Sequence, residues 1–156
     1  MNGDKLKYAV GWLLSFALGI VFLLAGWSKV TDPAAFMGIL EKLAPAPWLR
    51  DSLFYITPGI ELTLGIAFVT LRWRREAAVI AIPLCLLFLA LGVYLNLTGN
   101  EFAKCGCFSP EVAPWFQTSG WGTVLRDLGF LSAALLVYIS SRNPERISKS
   151  SYPSKI

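Results

Sequence analysis

Four long apolar runs dominate the chain, and its polar and turn-forming residues collect between them. A helix rising ~1.5 Å per residue needs about 20 residues to cross a hydrocarbon layer of ~30 Å, and each run is of that order. Only helices are expected, because open strands would leave backbone groups unpaired in lipid. The predicted spans are residues 8–27, 53–71, 77–97 and 121–139. The sequence therefore predicts an all-α, membrane-embedded four-helix bundle.

The connection after the first run carries its own helical pattern. Asp32 is suited to a helix N-cap, and Pro33 to the first helical position. Apolar residues then recur at helical spacing, namely Phe36, Ile39, Leu40 and Leu43. This pattern predicts a short amphipathic helix lying in the membrane interface. We expect one domain over residues 1–156, ending in a tail at 142–156.

Composition supports a bilayer environment and narrows the chemistry. Charged residues make up 15% of the chain, whereas soluble domains carry about a quarter. There is no histidine, which removes the commonest metal ligand and general base. The cysteines, Cys85, Cys105 and Cys107, match neither a zinc pattern nor a disulfide scaffold. We expect no metal, no nucleic-acid partner and no required cofactor.

The basic residues are distributed unevenly between the two sides of the predicted bundle. Nine of the 14 fall at the two termini and in the loop at 72–75: Lys5, Lys7, Arg72, Arg74, Arg75, Arg142, Arg146, Lys149 and Lys155. Because cytoplasmic loops carry the excess of Lys and Arg, both termini are predicted to be cytoplasmic. The connection at 98–120 is then exoplasmic, which in a bacterial inner membrane means periplasmic.

That connection contains the sharpest chemical feature of the sequence, Cys105-Gly106-Cys107. A disulfide between two such cysteines needs a tight turn, which Gly106 permits, and the small ring should be strained and reducible. Lys104 would favour the thiolate form. The pair is a candidate redox site, and the alternative is a structural staple.

Other candidate residues lie within the spans. Cys85 is either a relay thiol or a small buried hydrophobe. Glu61 is an ionisable residue inside a span, where a partner is expected. Lys29, Arg126 and Asp127 flank the same side, so a buried charged network is predicted. Its role is either support for the thiol site or fixation of the helix packing.

Four segments, taken in order, resemble a known family. The stretch at 22–36 is similar to the first-span signature of DoxX-like membrane proteins. Pro58-Gly-Ile-Glu61, Cys105-Gly-Cys-Phe108 and Arg126-Asp127-Leu128 resemble the MauE branch of that superfamily. One departure is Ser109, where the usual pattern has glycine.

The resemblance implies a four-helix bundle associated with periplasmic thiol–disulfide chemistry. MauE is linked to maturation of a disulfide-rich enzyme subunit alongside a thioredoxin-like protein. The expected function is thus thiol–disulfide exchange at Cys105 and Cys107. The partner or client, the electron source or sink, the direction of transfer and the oligomeric state stay open.

Two alternatives remain. The first is a DoxX- or DoxD-like oxidoreductase subunit that uses quinone, which needs an apolar cleft near Pro58 and Glu61. The second is a non-catalytic scaffold in a larger membrane complex, with the small residues Gly11, Ser15 and Gly19 packing against a partner helix.

Overall fold

The computed structural model describes residues 3–44, 46–98 and 120–141, and every element in these ranges is a helix. In chain order the helices are α1 (Gly3–Thr31), α2 (Pro33–Leu43), α3 (Pro47–Thr70), α4 (Arg74–Leu97) and α5 (Trp121–Ser141). Within the described ranges, four of them (α1, α3, α4 and α5) are long and apolar enough to cross a membrane. The predicted four-helix membrane bundle is confirmed.

The long helices differ in extent from the predicted spans, and the differences that matter most for the site are in α1 and α3. Helix α1 continues to Thr31, beyond the predicted end at residue 27, so Lys29 lies within its last turn. Helix α3 begins at Pro47 rather than residue 53. Proline suits a first helical turn because its missing N–H would have no helical partner there. Glu61 is consequently about 21 Å of helix from the start of α3, deeper than the sequence suggested.

The short helix after the first span is also present. Helix α2 begins at Pro33, directly after Asp32, and packs against α1 and α3. Phe36 and Leu40 are buried, and the Phe36 ring stacks on Phe54 of α3 at 6.0 Å between centroids. Helix α2 is therefore attached to the bundle through the apolar face that the spacing predicted.

The four long helices form a ring in the order α1, α3, α4, α5. Helix α1 packs against α3 and α5, and α4 packs against the same two helices. The chain alternates in direction, so Thr31, Pro47, Leu97 and Trp121 lie at one end of the bundle. We call this the long-loop end, since the connections 32–46 and 98–120 are there. The other end has the short connection 71–73.

The outward faces of the bundle are apolar. Every long helix exposes large hydrophobic side chains, among them Leu13, Ile66, Leu87 and Leu136. Such extended apolar exposure is incompatible with water and suited to hydrocarbon. The core between the helices contains Leu18, Phe68, Leu131 and Val137. The chain is an integral membrane protein in contact with lipid.

Close approach of α1 and α3 depends on small residues. A Cβ atom on Gly65 would lie 2.6 Å from Cγ and 2.9 Å from the backbone nitrogen of Leu23. A Cβ atom on Gly19 would lie 2.6 Å from Val69 and 3.0 Å from the Gly65 carbonyl oxygen. Ser15 Oγ donates a hydrogen bond to the Phe68 carbonyl oxygen at 3.2 Å. These contacts fix the spacing and register of the two helices.

The same contacts bear on the scaffold alternative. Gly19 and Ser15 face α3, and a side chain on Gly11 would collide with Ser140 of α5. The small-residue face of α1 is thus occupied within the chain, not open to a partner helix.

Gly65→Ala should destabilise the bundle by about 1–3 kcal/mol, because the added methyl group overlaps the α1 backbone. The measurement is the unfolding midpoint of the purified protein in detergent. The matched control is Gly59→Ala in the same helix, where an added Cβ meets no atom within 4 Å. That change should be neutral or stabilising by up to about 1 kcal/mol. Equal midpoints for the two variants would contradict the close approach.

Candidate functional site

A buried ion pair joins α1 to α3. Lys29 Nζ donates to both carboxylate oxygens of Glu61, at 2.8 and 2.7 Å, and each side chain is 1% exposed. An isolated charge in a low-dielectric interior is costly, whereas a closely bonded pair is tolerated. The partner expected for Glu61 is therefore Lys29.

Aromatic rings enclose the ammonium group of Lys29. Its Nζ lies 5.4 Å from the ring centroid of Phe36 on α2 and 5.9 Å from that of Phe88 on α4. These distances suit cation–π attraction. The Ala25 carbonyl oxygen lies 3.5 Å from the same nitrogen. Lys29 thus contacts α2, α3 and α4 and links these three helices to α1.

A second ion pair lies on α5, about 9 Å of helix from Trp121. Arg126 Nε and Nη2 donate to Asp127 Oδ1 at 3.1 and 3.0 Å, and the side chains are 9% and 6% exposed. The Arg126 guanidinium also lies 6.0 Å from the ring of Phe130. The other oxygen, Asp127 Oδ2, is buried and has no hydrogen-bond partner among the described residues.

The two ion pairs meet at a cavity in the centre of the ring. The cavity has a volume of about 30 Å³, and its polar lining consists of Glu61, Cys85, Arg126 and Asp127. The rest of its wall is apolar, formed by Val21, Phe22, Ala25, Phe88 and Phe130. All four long helices contribute to it. It is a small cavity whose accessible surface is almost wholly apolar, although four polar side chains border it.

Cys85 is a free thiol, 4% exposed, at the wall of this cavity. It is both a member of the hydrophobic core and a neighbour of ionisable groups. The relay and core interpretations of Cys85 are therefore compatible with its position, and its participation stays a prediction.

A hydrogen bond joins the two ends of the connection that carries the cysteine pair. The side-chain amide of Asn96 donates to the Gly92 carbonyl oxygen at 2.7 Å and to the Gly120 carbonyl oxygen at 3.1 Å. These bonds tie the end of α4 to the start of α5 across the intervening segment. Cys105 and Cys107 lie within that segment, outside the described residues.

The candidates named from the sequence thus fall into three groups. Glu61, Arg126, Asp127 and Cys85 share the cavity wall, and Lys29 is bonded to Glu61. The cysteine pair is outside the described part, and the supporting role of the charged residues stays a prediction. Sequence reasoning missed Phe88, since nothing distinguishes one phenylalanine in a uniformly apolar span.

The size of the cavity limits what it can hold. A bound water needs roughly 10–15 Å³ of such space, so about two waters fit. A quinone ring does not fit. The quinone alternative, which requires a cleft near Glu61, gains no support from this cavity.

Fold and site together define a class: an integral membrane four-helix protein with buried ion pairs. Comparison with known families identifies the group within that class. Residues 7–140 match the family described as methylamine utilisation protein MauE, and the chain belongs to this family. It is a membrane protein of the methylamine utilisation type. No curated protein and no solved structure matches the chain.

Lys29→Met or Glu61→Leu alone should destabilise the bundle by about 3–5 kcal/mol, because each leaves the other partner buried and unpaired. The double variant Lys29→Met/Glu61→Leu should be less damaged than the Lys29→Met single variant. Unfolding in detergent measures all three.

The surface pair Arg50–Glu41 is the matched control, with a separation of 3.9 Å and side chains 31% and 59% exposed. Arg50→Met should cost less than about 1 kcal/mol. Additive losses in the double variant Lys29→Met/Glu61→Leu would show that Lys29 and Glu61 are not coupled.

Proposed function

We propose that this chain exchanges thiols and disulfides with an exoplasmic thioredoxin-like protein, using Cys105 and Cys107 as its redox pair. The observation that carries the proposal is the Cys105-Gly-Cys107 sequence in a connection tied at its base by Asn96 and Gly120. Membership of the MauE family supports the same chemistry through the resemblance of this motif.

The hydrogen bonds of Asn96 support a location of Cys105 and Cys107 at one end of the bundle. Helices α4 and α5 continue from that base into the ion-paired centre, where Cys85 and Asp127 lie. A redox pair tethered to a rigid framework is well suited to a protein partner, because its approach is restricted to one side. Lys29, Glu61 and Arg126 serve in this proposal as the support of that framework.

The exchange proceeds in two balanced steps. A thiolate of the pair attacks a partner disulfide, so that a mixed disulfide forms and one partner thiolate leaves. The second cysteine of the pair then attacks the mixed disulfide and releases the partner as a dithiol. Two electrons pass to the partner while the Cys105–Cys107 disulfide forms, and the reverse sequence oxidises the partner. Either cysteine can attack first.

The charge distribution supports an exoplasmic location of the cysteine pair. The connection 71–73 and the start of α4 contain Arg72, Arg74 and Arg75, which favour the cytoplasmic side. The long-loop end lies opposite, which supports a location of Cys105 and Cys107 in an oxidising compartment. A bacterial inner membrane with both termini in the cytoplasm is part of this proposal.

Cys107→Ser or Cys105→Ser should trap a mixed disulfide, because the thiol that resolves it is missing. The measurement is a reductant-sensitive, higher-mass band on non-reducing gels, followed by identification of a thioredoxin-like protein within it. Cys85→Ser is the matched control and should trap nothing. The redox role would be refuted if neither single variant traps a partner and the double variant of Cys105 and Cys107 keeps full thiol–disulfide exchange activity.

The proposed orientation makes a separate prediction. In a chain without other cysteines, Cys105 should react with a membrane-impermeant maleimide added to intact spheroplasts. Thr70→Cys, at the exposed opposite end of α3, should react only in inverted vesicles. Thr98→Cys marks the long-loop end and should behave as Cys105 does. Labelling of Cys105 from the cytoplasmic side would overturn the exoplasmic location.

A further inference from the structure

The end of the bundle opposite the long loops has a basic surface that thiol exchange does not use. We call it the short-connection end, since the connection 71–73 joins α3 to α4 there. Within the described ranges its charged residues are the basic Lys5, Lys7, Arg72, Arg74 and Arg75 and the acidic Asp4 and Glu76. The long-loop end, apart from the buried pairs, has the basic Lys42 and Arg50 and the acidic Asp32, Glu41 and Asp51. In the described part of the chain, the excess of positive charge therefore lies at the short-connection end.

The connection 71–73 is too short to leave the membrane surface. Helix α3 ends at Thr70 and α4 begins at Arg74, and both helices are long and apolar enough to span a membrane. Leu71 has a left-handed backbone conformation, with a φ angle of 61°, where the chain leaves α3. Three residues reach at most about 10 Å, which is comparable with the thickness of one headgroup layer. Arg72 and Trp73 are therefore held at the depth of the lipid headgroups.

The side chain of Trp73 supports this depth. It is 61% exposed on the surface of the bundle. Tryptophan is enriched at membrane–water interfaces, because its ring is largely apolar while its N–H group is polar. Large apolar side chains are exposed within two turns of the connection on both helices, namely Ile66 of α3 and Val79 and Ile80 of α4. Trp73 thus lies where the lipid-facing apolar surface gives way to charged residues.

Arg72 and Arg75 are the cations of this surface that have no partner within the described ranges. Both side chains are exposed, and neither forms an ion pair with a described residue. Arg74 is half-buried and interacts within the chain, so it is not counted. At the long-loop end, by contrast, Arg50 lies within 4 Å of two carboxylates. Two guanidinium groups at the short-connection end are therefore left to bind an anion from outside the chain.

We propose that Arg72 and Arg75, with Trp73 between them, bind the phosphate group of an anionic phospholipid such as phosphatidylglycerol. The planar guanidinium group presents its N–H groups in a fork that matches phosphate oxygens. A lipid fits better than a soluble anion, because the surface lies at headgroup depth and Trp73 adds a ring suited to the interface. Each arginine near an anionic leaflet strengthens binding by about fivefold. The inference is independent of the proposed function, since it involves none of the thiols.

Native mass spectrometry of the full chain in detergent tests this proposal. The protein is titrated with phosphatidylglycerol or with phosphatidylcholine of the same acyl chains, and the dissociation constant of the first bound lipid is measured. We expect phosphatidylglycerol to bind about tenfold more tightly or better, and its binding to weaken as salt is added. Arg72→Gln and Arg75→Gln should each weaken it by about fivefold, and the double variant should lose most of the preference.

The matched control is Arg50→Gln, which also removes one positive charge but does so at the long-loop end. It should leave the affinity for phosphatidylglycerol unchanged. A competition with soluble glycerol phosphate separates a lipid site from a site for any phosphate, and we expect no displacement of the lipid. If the double variant does not fold, the two single variants decide.

Three results would overturn the proposal. The first is equal affinity of the unmodified chain for the two lipids, and the second is a preference that survives the loss of both arginines or falls equally in Arg50→Gln. The third is displacement of the lipid by glycerol phosphate, which would assign the surface to a soluble anion. Because none of these measurements involves Cys105 or Cys107, failure of this proposal is distinct from failure of the proposed function.

Discussion

The bonded pair of Lys29 and Glu61 is the interaction on which the rest of the bundle depends. In hydrocarbon either charge alone would be driven towards water or neutralised. In the pair, both carboxylate oxygens of Glu61 accept hydrogen bonds from the ammonium group of Lys29, so each charge is compensated. The bond satisfies the charge of Lys29 within the last turn of α1. It also explains how α3 can bury a glutamate deep in its length. The rings of Phe36 and Phe88 then bring α2 and α4 to the same point.

Backbone packing and this ion pair support each other. Gly19 and Gly65 let α1 and α3 approach closely, and that approach brings Lys29 within bonding distance of Glu61. Lipid supplies little hydrophobic force between helices, so close packing and polar bonds must hold them together. The bundle consequently presents apolar side chains to lipid and buries its ion pairs within an otherwise apolar core.

Much of this arrangement could be read from the sequence, and the limits have physical causes. Apolar run length gives the four spans, and the spacing of Phe36 and Leu40 gives the buried face of α2. The start of α3 was missed, because Pro47 can end one helix or begin the next, and only tertiary contacts decide. A partner for Glu61 could be expected, but its identity depends on helix register. The pairing of Arg126 with its own neighbour, Asp127, leaves no distinctive spacing to detect.

The two ion pairs differ in whether they join two helices. Lys29 and Glu61 lie on different helices and satisfy each other, so any change in either would loosen the fold. Arg126 and Asp127 are adjacent on one helix, and their geometry uses only one carboxylate oxygen. The remaining oxygen is buried and has no hydrogen-bond partner among the described residues. Glu61 of the first pair and both residues of the second pair line the central cavity.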